Sequence, residues 1–320
     1  MAAHWIRRIA LAAAACASAA LLAACGSSTV ESAFKPNRLI AFGDGFTDIG
    51  QKGSSYTVND GSVNNWTLEV ASLYNLALTP VAAGGLSYAQ GNARITATPD
   101  AAGDASTPTL TRQIDTFLAT QQFSSGDLIL MNGGESDIIA GMAAVNAGAQ
   151  TQEQFLAAMR QAGQEMAAQI KRLSDAGAQH IFVTGTYDLS RTPWAIGIGQ
   201  QSLISDASKN FNNGLLANIA DLSKTVAFMD VAYYVNLFQG SPGNYGFSDS
   251  VTPVCTSVDP GPGIGIGAGE VNSALCTAST LIASASGTGD LYVFADKVYL
   301  TPAPQRLFGT YVYDFLSTRW

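Results

Sequence analysis

The sequence has few of the residues on which metal and nucleic-acid chemistry depend. Its 320 residues include two histidines and four cysteines, and only 12% of them are charged. Sixteen Lys and Arg stand against 24 Asp and Glu, and no basic block occurs. Because phosphate binding needs clustered Lys and Arg, this acidic chain is not expected to bind nucleic acid. Its carboxylates match no metal-ligand spacing, so we expect no metal ion and no cofactor.

The N-terminus resembles the export signal of a bacterial lipoprotein. A short basic start precedes the apolar run Ile9 to Ala24, whose 16 residues are too few to span a bilayer comfortably. The string Leu22-Ala23-Ala24-Cys25 is similar to a lipobox, which implies removal of residues 1–24 and acylation of Cys25. Two or more acyl chains form a stable membrane anchor. Gly26 resembles the residue that sends such proteins to the outer membrane. An ordinary secretory signal is the alternative.

The rest of the chain divides into a spacer and one domain. Residues 25–37 hold the acylated cysteine and a polar stretch, which we interpret as a flexible spacer. Residues 38–320 have a suitable length for a single α/β domain. Cys255 and Cys276 are the only cysteines in it, and an oxidising envelope compartment favours a disulfide between them. A metal site on these two cysteines is the weaker alternative, since no histidine lies near them in the sequence.

Apolar runs typical of buried strands alternate with stretches typical of helices. This alternation predicts a parallel sheet covered by helices on both faces. The predicted strands are 38–42, 127–131, 180–184 and 226–230, and the predicted helices are 66–76, 110–123, 151–176, 202–223 and 304–315. A weak strand around Val81 would make about five strands. Residues 240–289 lose regular periodicity, so we expect a long loop, bridged by the disulfide or functional.

Four blocks, in this order, resemble the GDSL, or SGNH, hydrolases. FGDGFTD at 42–48 is similar to the family's nucleophile block, SYAQGNARI at 87–95 to its second block, GGESDI at 133–138 to its third, and FADKVYLTPAPQRL at 294–307 to its last. The resemblance covers the whole chain after the spacer. It implies a three-layer α/β/α, flavodoxin-like sandwich and ester hydrolysis by a Ser–His–Asp triad. It also implies an oxyanion hole to which the N–H of Gly91 contributes.

Three of the residues that this chemistry requires are replaced. Gly45 stands where the family has the nucleophilic Ser, Tyr299 where it has the catalytic His, and Ser136 where it has the Asn that donates to the oxyanion. A phenol, whose ordinary pKa is near 10, cannot act as a base around neutral pH. Asp296, which would orient the histidine, is retained. His180 is the one histidine after the signal, and we interpret it as structural because it begins a predicted strand.

These losses predict a protein that keeps the fold without the esterase activity. We expect the N–H groups of Gly45 and Gly91 to point into a pocket that binds an acyl, glycan or other small envelope ligand. A passive domain with a filled pocket is equally compatible with the sequence. The alternative is an active hydrolase or acyltransferase with a relocated nucleophile, for which Thr47 and Ser136 are the nearest candidates. Asp44 and Asp48 are expected to brace the turn by accepting backbone N–H bonds.

Overall fold

A four-stranded parallel sheet forms the centre of the protein. The computed structural model describes residues 32–320, so the predicted signal, the lipobox and Cys25 lie outside the described residues. The strands lie side by side in chain order: β1 (Arg38–Phe42), β2 (Asp127–Met131), β3 (Ile181–Val183) and β4 (Val226–Phe228). Every residue of β2 and β3 is buried, as expected for parallel strands covered on both faces.

Helices flank the sheet and complete a three-layer α/β/α arrangement. The longest helix packs along the one formed by residues 201–219, and the first packs against the last. In the described part of the chain they are α1 (Trp66–Leu73), α2 (Leu110–Thr120), α3 (Glu135–Asn146), α4 (Gln152–Asp175), α5 (Pro193–Ile198), α6 (Gln201–Ile219), α7 (Val231–Gly240) and α8 (Pro302–Leu316).

Local sequence explains where α4 begins and ends. The Thr151 side chain accepts from Gln154 N–H, and the Gln154 side chain accepts from Thr151 N–H, which together form a capping box. Gly177 follows the helix with φ of +103°, a backbone conformation that glycine adopts without steric cost. The sequence prediction for this helix is therefore confirmed to within one residue at each end.

The prediction of a fifth strand near Val81 is wrong. Residues Val81–Ala83 form a 3₁₀ turn instead. Ser87 makes only single bridges, to Ala41 of β1 and to Pro80. Pro80 has no N–H to contribute to a ladder, and Gly84 turns the chain with φ of +81°, so pairing ends after one residue.

The long segment before the last block is irregular but covalently closed. Cys255 and Cys276 form a disulfide, with their Cα atoms 5.8 Å apart. Both cysteines are buried in a small apolar cluster with Val58, Val254 and Ala295. This cluster ties the loop to the block that carries Asp296 and Tyr299. No helix within residues 32–320 is both long and apolar enough to cross a bilayer.

Candidate functional site

The turn after β1 is held by side chains from neighbouring elements. Gly43 N–H donates to Gln113 Oε1 of α2 at 3.0 Å, and Gln113 Nε2 donates to Gly43 O at 2.8 Å. Asp44 Oδ1 accepts from Phe46 N–H at 3.2 Å and from Asn132 Nδ2 at 2.8 Å. These bonds fix Gly45 at the carboxyl end of the sheet, where parallel α/β folds carry their sites.

Asp48 accepts the hydrogen bond from the proposed oxyanion donor. Its Oδ2 accepts from Gly91 N–H at 2.8 Å, and its Oδ1 accepts from Gly50 N–H and Gln51 N–H at 2.8 and 2.9 Å. Burial raises the pKa of Asp48, although these three donors oppose the rise. Asp48 thus braces the turn, as predicted. The expectation that the Gly91 N–H is free is wrong, because it donates to Asp48. A buried carboxylate is stable only when it is hydrogen-bonded, and Gly91 N–H supplies one of these bonds.

Tyr299 fills the space that a serine side chain would need at position 45. A Cβ atom built on Gly45 would lie 2.5 Å from Tyr299 Oη and 2.6 Å from its Cζ. The Tyr299 side chain is fully buried, and its hydroxyl has no hydrogen-bond partner among the described residues. Burial, reinforced by nearby Asp44, raises the pKa of Tyr299 well above its ordinary value, so the phenol stays protonated. Tyr299 therefore fills the place beside Gly45 where the sequence predicts a pocket, which agrees with the filled-pocket alternative.

A second tyrosine covers Gly91. A Cβ atom built on Gly91 would overlap the ring of Tyr56. The Tyr56 ring also packs against Tyr299, with ring centroids 5.2 Å apart and the planes inclined by 55°. Tyr56 is partly exposed while Tyr299 is not, so Tyr56 is the outer of the two rings. We call these two side chains the tyrosine plug.

Behind the turn lies a pair of buried carboxyl groups. Asn132 Nδ2 donates to both Asp44 Oδ1, at 2.8 Å, and Glu135 Oε2, at 3.1 Å. Burial and the neighbouring Asp44 raise the pKa of Glu135 well above its usual range. Burial therefore favours the protonated form of Glu135 and makes it a poor carboxylate base for the site.

The two candidate nucleophiles, Thr47 and Ser136, are both buried, and both hydroxyls have hydrogen-bond partners. Thr47 Oγ1 accepts from the Trp66 indole N–H at 3.2 Å, and the Thr47 side chain has no exposed surface. Ser136 is fully buried in the first turn of α3, and its Oγ lies 3.5 Å from Asp44 Oδ2. Asp44 also accepts from Phe46 N–H, Asn132 Nδ2 and Ser136 N–H, so it is a weak partner for a serine that needs a strong base. The structure places Ser136 near Gly45 but supplies no imidazole to activate it.

Asp296 has a structural role in the turn that carries Tyr299. Its Oδ1 accepts from Val298 N–H and Tyr299 N–H, both at 2.7 Å, and its Oδ2 accepts from Ser273 N–H at 3.0 Å. Asp296 is fully buried, and that burial raises its pKa against the effect of these donors. The retained aspartate thus positions a tyrosine and joins the disulfide loop to the site.

The single histidine of the described chain lies at the other end of the sheet. His180 precedes β3, whereas Gly45 follows the parallel strand β1. Its ring stacks on Phe34 at 3.5 Å between centroids and meets the edge of Trp320 at 5.0 Å. Burial lowers the pKa of His180. This histidine packs the N-terminal end of the sheet and has no route to Gly45.

The described residues contain no group of three or more His, Cys, Asp or Glu side chains arranged to hold a metal ion. Asp137, one of the carboxylates near the turn, is paired instead with Arg94, whose Nε lies 3.2 Å from Asp137 Oδ1. Its other oxygen accepts from Ile95 N–H at 3.0 Å. Burial raises the pKa of Asp137 to about 6, and Arg94 limits the rise.

Comparison with known proteins assigns the family. Residues 39–312 match the model described as GDSL-like lipase/acylhydrolase. The chain belongs to this family. The matched range includes all four sequence blocks, the tyrosine plug and both cysteines of the disulfide. The family match thus spans the site described above, in which Gly45 stands at the turn after β1.

Individual relatives are distant. A Pseudomonas putida protein, described as an uncharacterized protein in the trpE-trpG intergenic region, is 27% identical over 197 residues. That alignment covers 60% of this chain but 29% of the relative, so the chain spans less than a third of its length.

Among solved structures, Est24, a carbohydrate acetylesterase from Sinorhizobium meliloti, is 13% identical with a TM-score of 0.45. An aryl esterase from M. smegmatis is 12% identical with a TM-score of 0.44. Each comparison covers 88% of this chain and 99% of the other.

Sequence reasoning missed two residues of this GDSL site. Tyr56 lies in a polar loop, and nothing in its neighbourhood in the sequence indicates that its ring covers Gly91. Glu135 occupies a variable place in the third block, and only its burial next to Asp44 shows that its pKa is raised. A signal existed for Tyr299, since the loss of a side chain at Gly45 leaves room for a larger residue at the histidine position.

Proposed function

We propose that this chain is a GDSL-family protein without esterase activity, anchored in the bacterial cell envelope through an acylated Cys25. The contact between Gly45 and Tyr299 is the observation that supports the absence of esterase activity. The phenol of Tyr299 lies where a serine side chain at position 45 would lie, and it neither attacks an ester nor takes a proton at neutral pH.

The surrounding geometry supports the same proposal. Oxyanion stabilisation needs free donors aimed at the place where charge develops. Gly91 N–H is bound to Asp48, and Tyr56 lies over it. The acyl or glycan ligand expected from the sequence would need the volume that the tyrosine plug fills. We therefore propose no ligand beside Gly45 and Gly91. The role that remains is that of an envelope-associated domain acting through its surface.

The full chain is expected to show neither turnover nor covalent labelling. Short and medium chain nitrophenyl esters should hydrolyse no faster with the protein than with buffer, and a fluorophosphonate probe should leave no adduct, because no hydroxyl at the site has a base. Thr47→Val and Ser136→Ala are the matched controls. An adduct on wild type that one of these variants abolishes would establish the alternative, a hydrolase or acyltransferase with a relocated nucleophile.

The anchor is supported by the lipobox-like string before Cys25 and by the polar spacer after it. When the full chain is expressed in a bacterium, it should incorporate labelled palmitate and sediment with the outer membrane. A Cys25→Ser variant should lose the label and become soluble, since a domain without acyl chains has no comparable membrane affinity. A Cys16→Ser variant is the matched control. Recovery of unlabelled wild type in the soluble periplasm would contradict the anchor and support the alternative, an ordinary secretory signal.

A further inference from the structure

A groove of about 430 Å³ lies at the N-terminal end of the sheet. One wall is the segment that precedes β1, and the others are the C-terminal ends of α1 and α8. Because β1 runs from this end towards Gly45, roughly 16 Å of strand separates the groove from the tyrosine plug. The groove is therefore a separate site. Its lining residues are Ser32, Phe34, Lys35, Pro36, Leu73, Tyr74, Tyr313 and Ser317.

Hydrogen bonds and ring contacts hold the segment that forms the first wall. Ser32 N–H donates to Ser317 O at 2.6 Å, and Phe34 N–H donates to Trp320 O at 3.3 Å. The Phe34 ring stacks on His180 and meets the edge of Trp320. The segment is thus fixed against the end of α8, and the groove beside it is preformed.

The lining combines apolar surface with a single charge. Leu73 is 40% exposed although it is apolar, and the rings of Tyr74 and Tyr313 pack against each other with centroids 4.8 Å apart. Lys35 is exposed and has no ion-pair partner within residues 32–320. Asp314 follows Tyr313 but is not part of the lining, since consecutive helix residues point about 100° apart. A matching ligand has an anionic group for Lys35 and an apolar part for Leu73 and the rings.

The position of the groove in the chain indicates the source of such a ligand. Ser32 is seven residues after Cys25, and seven residues span at most about 25 Å. An acylated Cys25 therefore keeps this end of the domain near the bilayer surface. Phospholipids carry a phosphate next to acyl chains, and aromatic side chains with a polar group, such as tyrosine, are favoured at the level of the headgroups.

We propose that this groove binds an anionic phospholipid of the membrane to which the chain is anchored. The lipid phosphate lies at Lys35, and the upper part of the acyl chains lies beside Leu73 and Tyr74. The inference rests on the anchor under the proposed function for the source of the lipid. It adds a second membrane contact, which orients the domain with the N-terminal end of the sheet towards the bilayer and the tyrosine plug away from it.

The first test is vesicle binding by the full chain with Cys25→Ser, to which no acyl chain on that cysteine contributes. Vesicles of equimolar phosphatidylcholine and phosphatidylglycerol should bind it more tightly than vesicles of phosphatidylcholine alone. Lys35→Glu should raise the apparent dissociation constant on the order of tenfold, because a lysine near an anionic surface contributes about fivefold and the change also adds repulsion.

Lys224→Glu is the matched control for charge. Lys224 is exposed and precedes β4 at the same end of the sheet, but it does not line the groove. Its reversal should change the dissociation constant by less than about threefold, because salt screens charges that are distant from the bound phosphate. All variants share the same N-terminus, so any binding by residues 1–24 is common to them.

Leu73→Glu tests the apolar part of the groove. The position is exposed, so the fold should tolerate the change, and urea unfolding checks this. The new carboxylate faces the lipid and should raise the dissociation constant on the order of tenfold. Leu291→Glu is the matched control, since Leu291 is 41% exposed and lies outside the groove. Free glycerol phosphate should not displace the chain from vesicles, because it has no acyl part.

The second test locates the groove in the acylated wild type, reconstituted in the equimolar vesicles. Trp320 meets Phe34 at 6.0 Å between centroids, whereas Trp66 and Trp194 are buried. Phospholipids brominated on their acyl chains should quench the fluorescence of Trp320, and Lys35→Glu should reduce the quenching. Trp320→Phe removes the reporter and gives the background.

Four outcomes would overturn the proposal. They are no binding to either kind of vesicle, effects of Lys35→Glu and Leu73→Glu no larger than those of their controls, displacement by free glycerol phosphate, and quenching that Trp320→Phe leaves unchanged. Failure of the anchor is a different result, because palmitate labelling at Cys25 decides it. Groove-dependent binding by the Cys25→Ser chain would support the lipid site even without that label.

Discussion

The triple variant Gly45→Ser, Ser136→Asn and Tyr299→His is expected to hydrolyse short nitrophenyl esters at least about a hundredfold faster than wild type, since a positioned general base alone contributes about 10²–10⁴-fold. The scaffold for these groups is intact. Asp296 Oδ1 already accepts the backbone N–H of residue 299 at 2.7 Å, and the turn that presents position 45 is fully hydrogen-bonded. Initial rates with purified full chain measure the effect.

Neither single substitution, Gly45→Ser or Tyr299→His, is expected to give esterase activity. Gly45→Ser alone places Cβ 2.5 Å from Tyr299 Oη in a fully buried position, and overpacking of this kind costs about 1–3 kcal/mol of folding free energy. Tyr299→His alone removes the clash but adds no nucleophile. In the combined variant the cost of the serine should fall to less than 1 kcal/mol, which is a coupling that a double-mutant cycle in urea unfolding can measure.

Gly197→Ser is the matched control for stability, because nothing lies within 4 Å of a Cβ atom at that position. If Gly45→Ser alone were as stable as Gly197→Ser, Tyr299 would not fill the serine position in solution. If the triple variant folded normally and stayed inactive, the three replaced residues would not account for the loss of activity. In that case the remaining obstacle would be Tyr56 over Gly91, and Tyr56→Ala in the triple background would be the next variant.

Asp296→Ala is expected to lower the free energy of unfolding by at least about 3 kcal/mol, because each buried donor left without an acceptor costs about 1–3 kcal/mol. The change leaves three backbone N–H groups without an acceptor, those of Val298, Tyr299 and Ser273. It also disconnects the disulfide loop from the turn that positions Tyr299. Urea unfolding at neutral pH measures the loss.

Two further variants define what this result means. Asp296→Asn keeps one accepting oxygen and should lose less stability than Asp296→Ala. Asp290→Ala is the matched control in the same region, since Asp290 is exposed and its pair with Arg306 lies at the surface, so it should change stability by less than about 1 kcal/mol. Equal effects of Asp296→Ala and Asp290→Ala would show that Asp296 does not hold the turn and was retained for another reason.

The positions of the strands could be predicted because each is an uninterrupted apolar run. β1 and β2 match their predicted ranges residue for residue, whereas β3 and β4 are shorter by one or two residues at their ends. The fifth strand could not be predicted correctly, because Val81 and its neighbours have strand-like composition while Pro80 and Gly84 decide the backbone. The helix ends were predictable where a cap was present, as at Thr151.

The sequence by itself determined the family, the order of the four blocks and the identity of the residues at 45, 136 and 299. Each of these depends only on which residue stands in which block. It also determined that His4 and His180 are the two histidines of the chain.

Only the tertiary structure decided which groups surround Gly45 and Gly91. The space beside Gly45 is occupied by Tyr299, 254 positions further along the chain, and the N–H of Gly91 donates to Asp48. Close packing and hydrogen-bond satisfaction are properties of neighbours in space, so no local pattern in the sequence could distinguish a filled site from an open pocket.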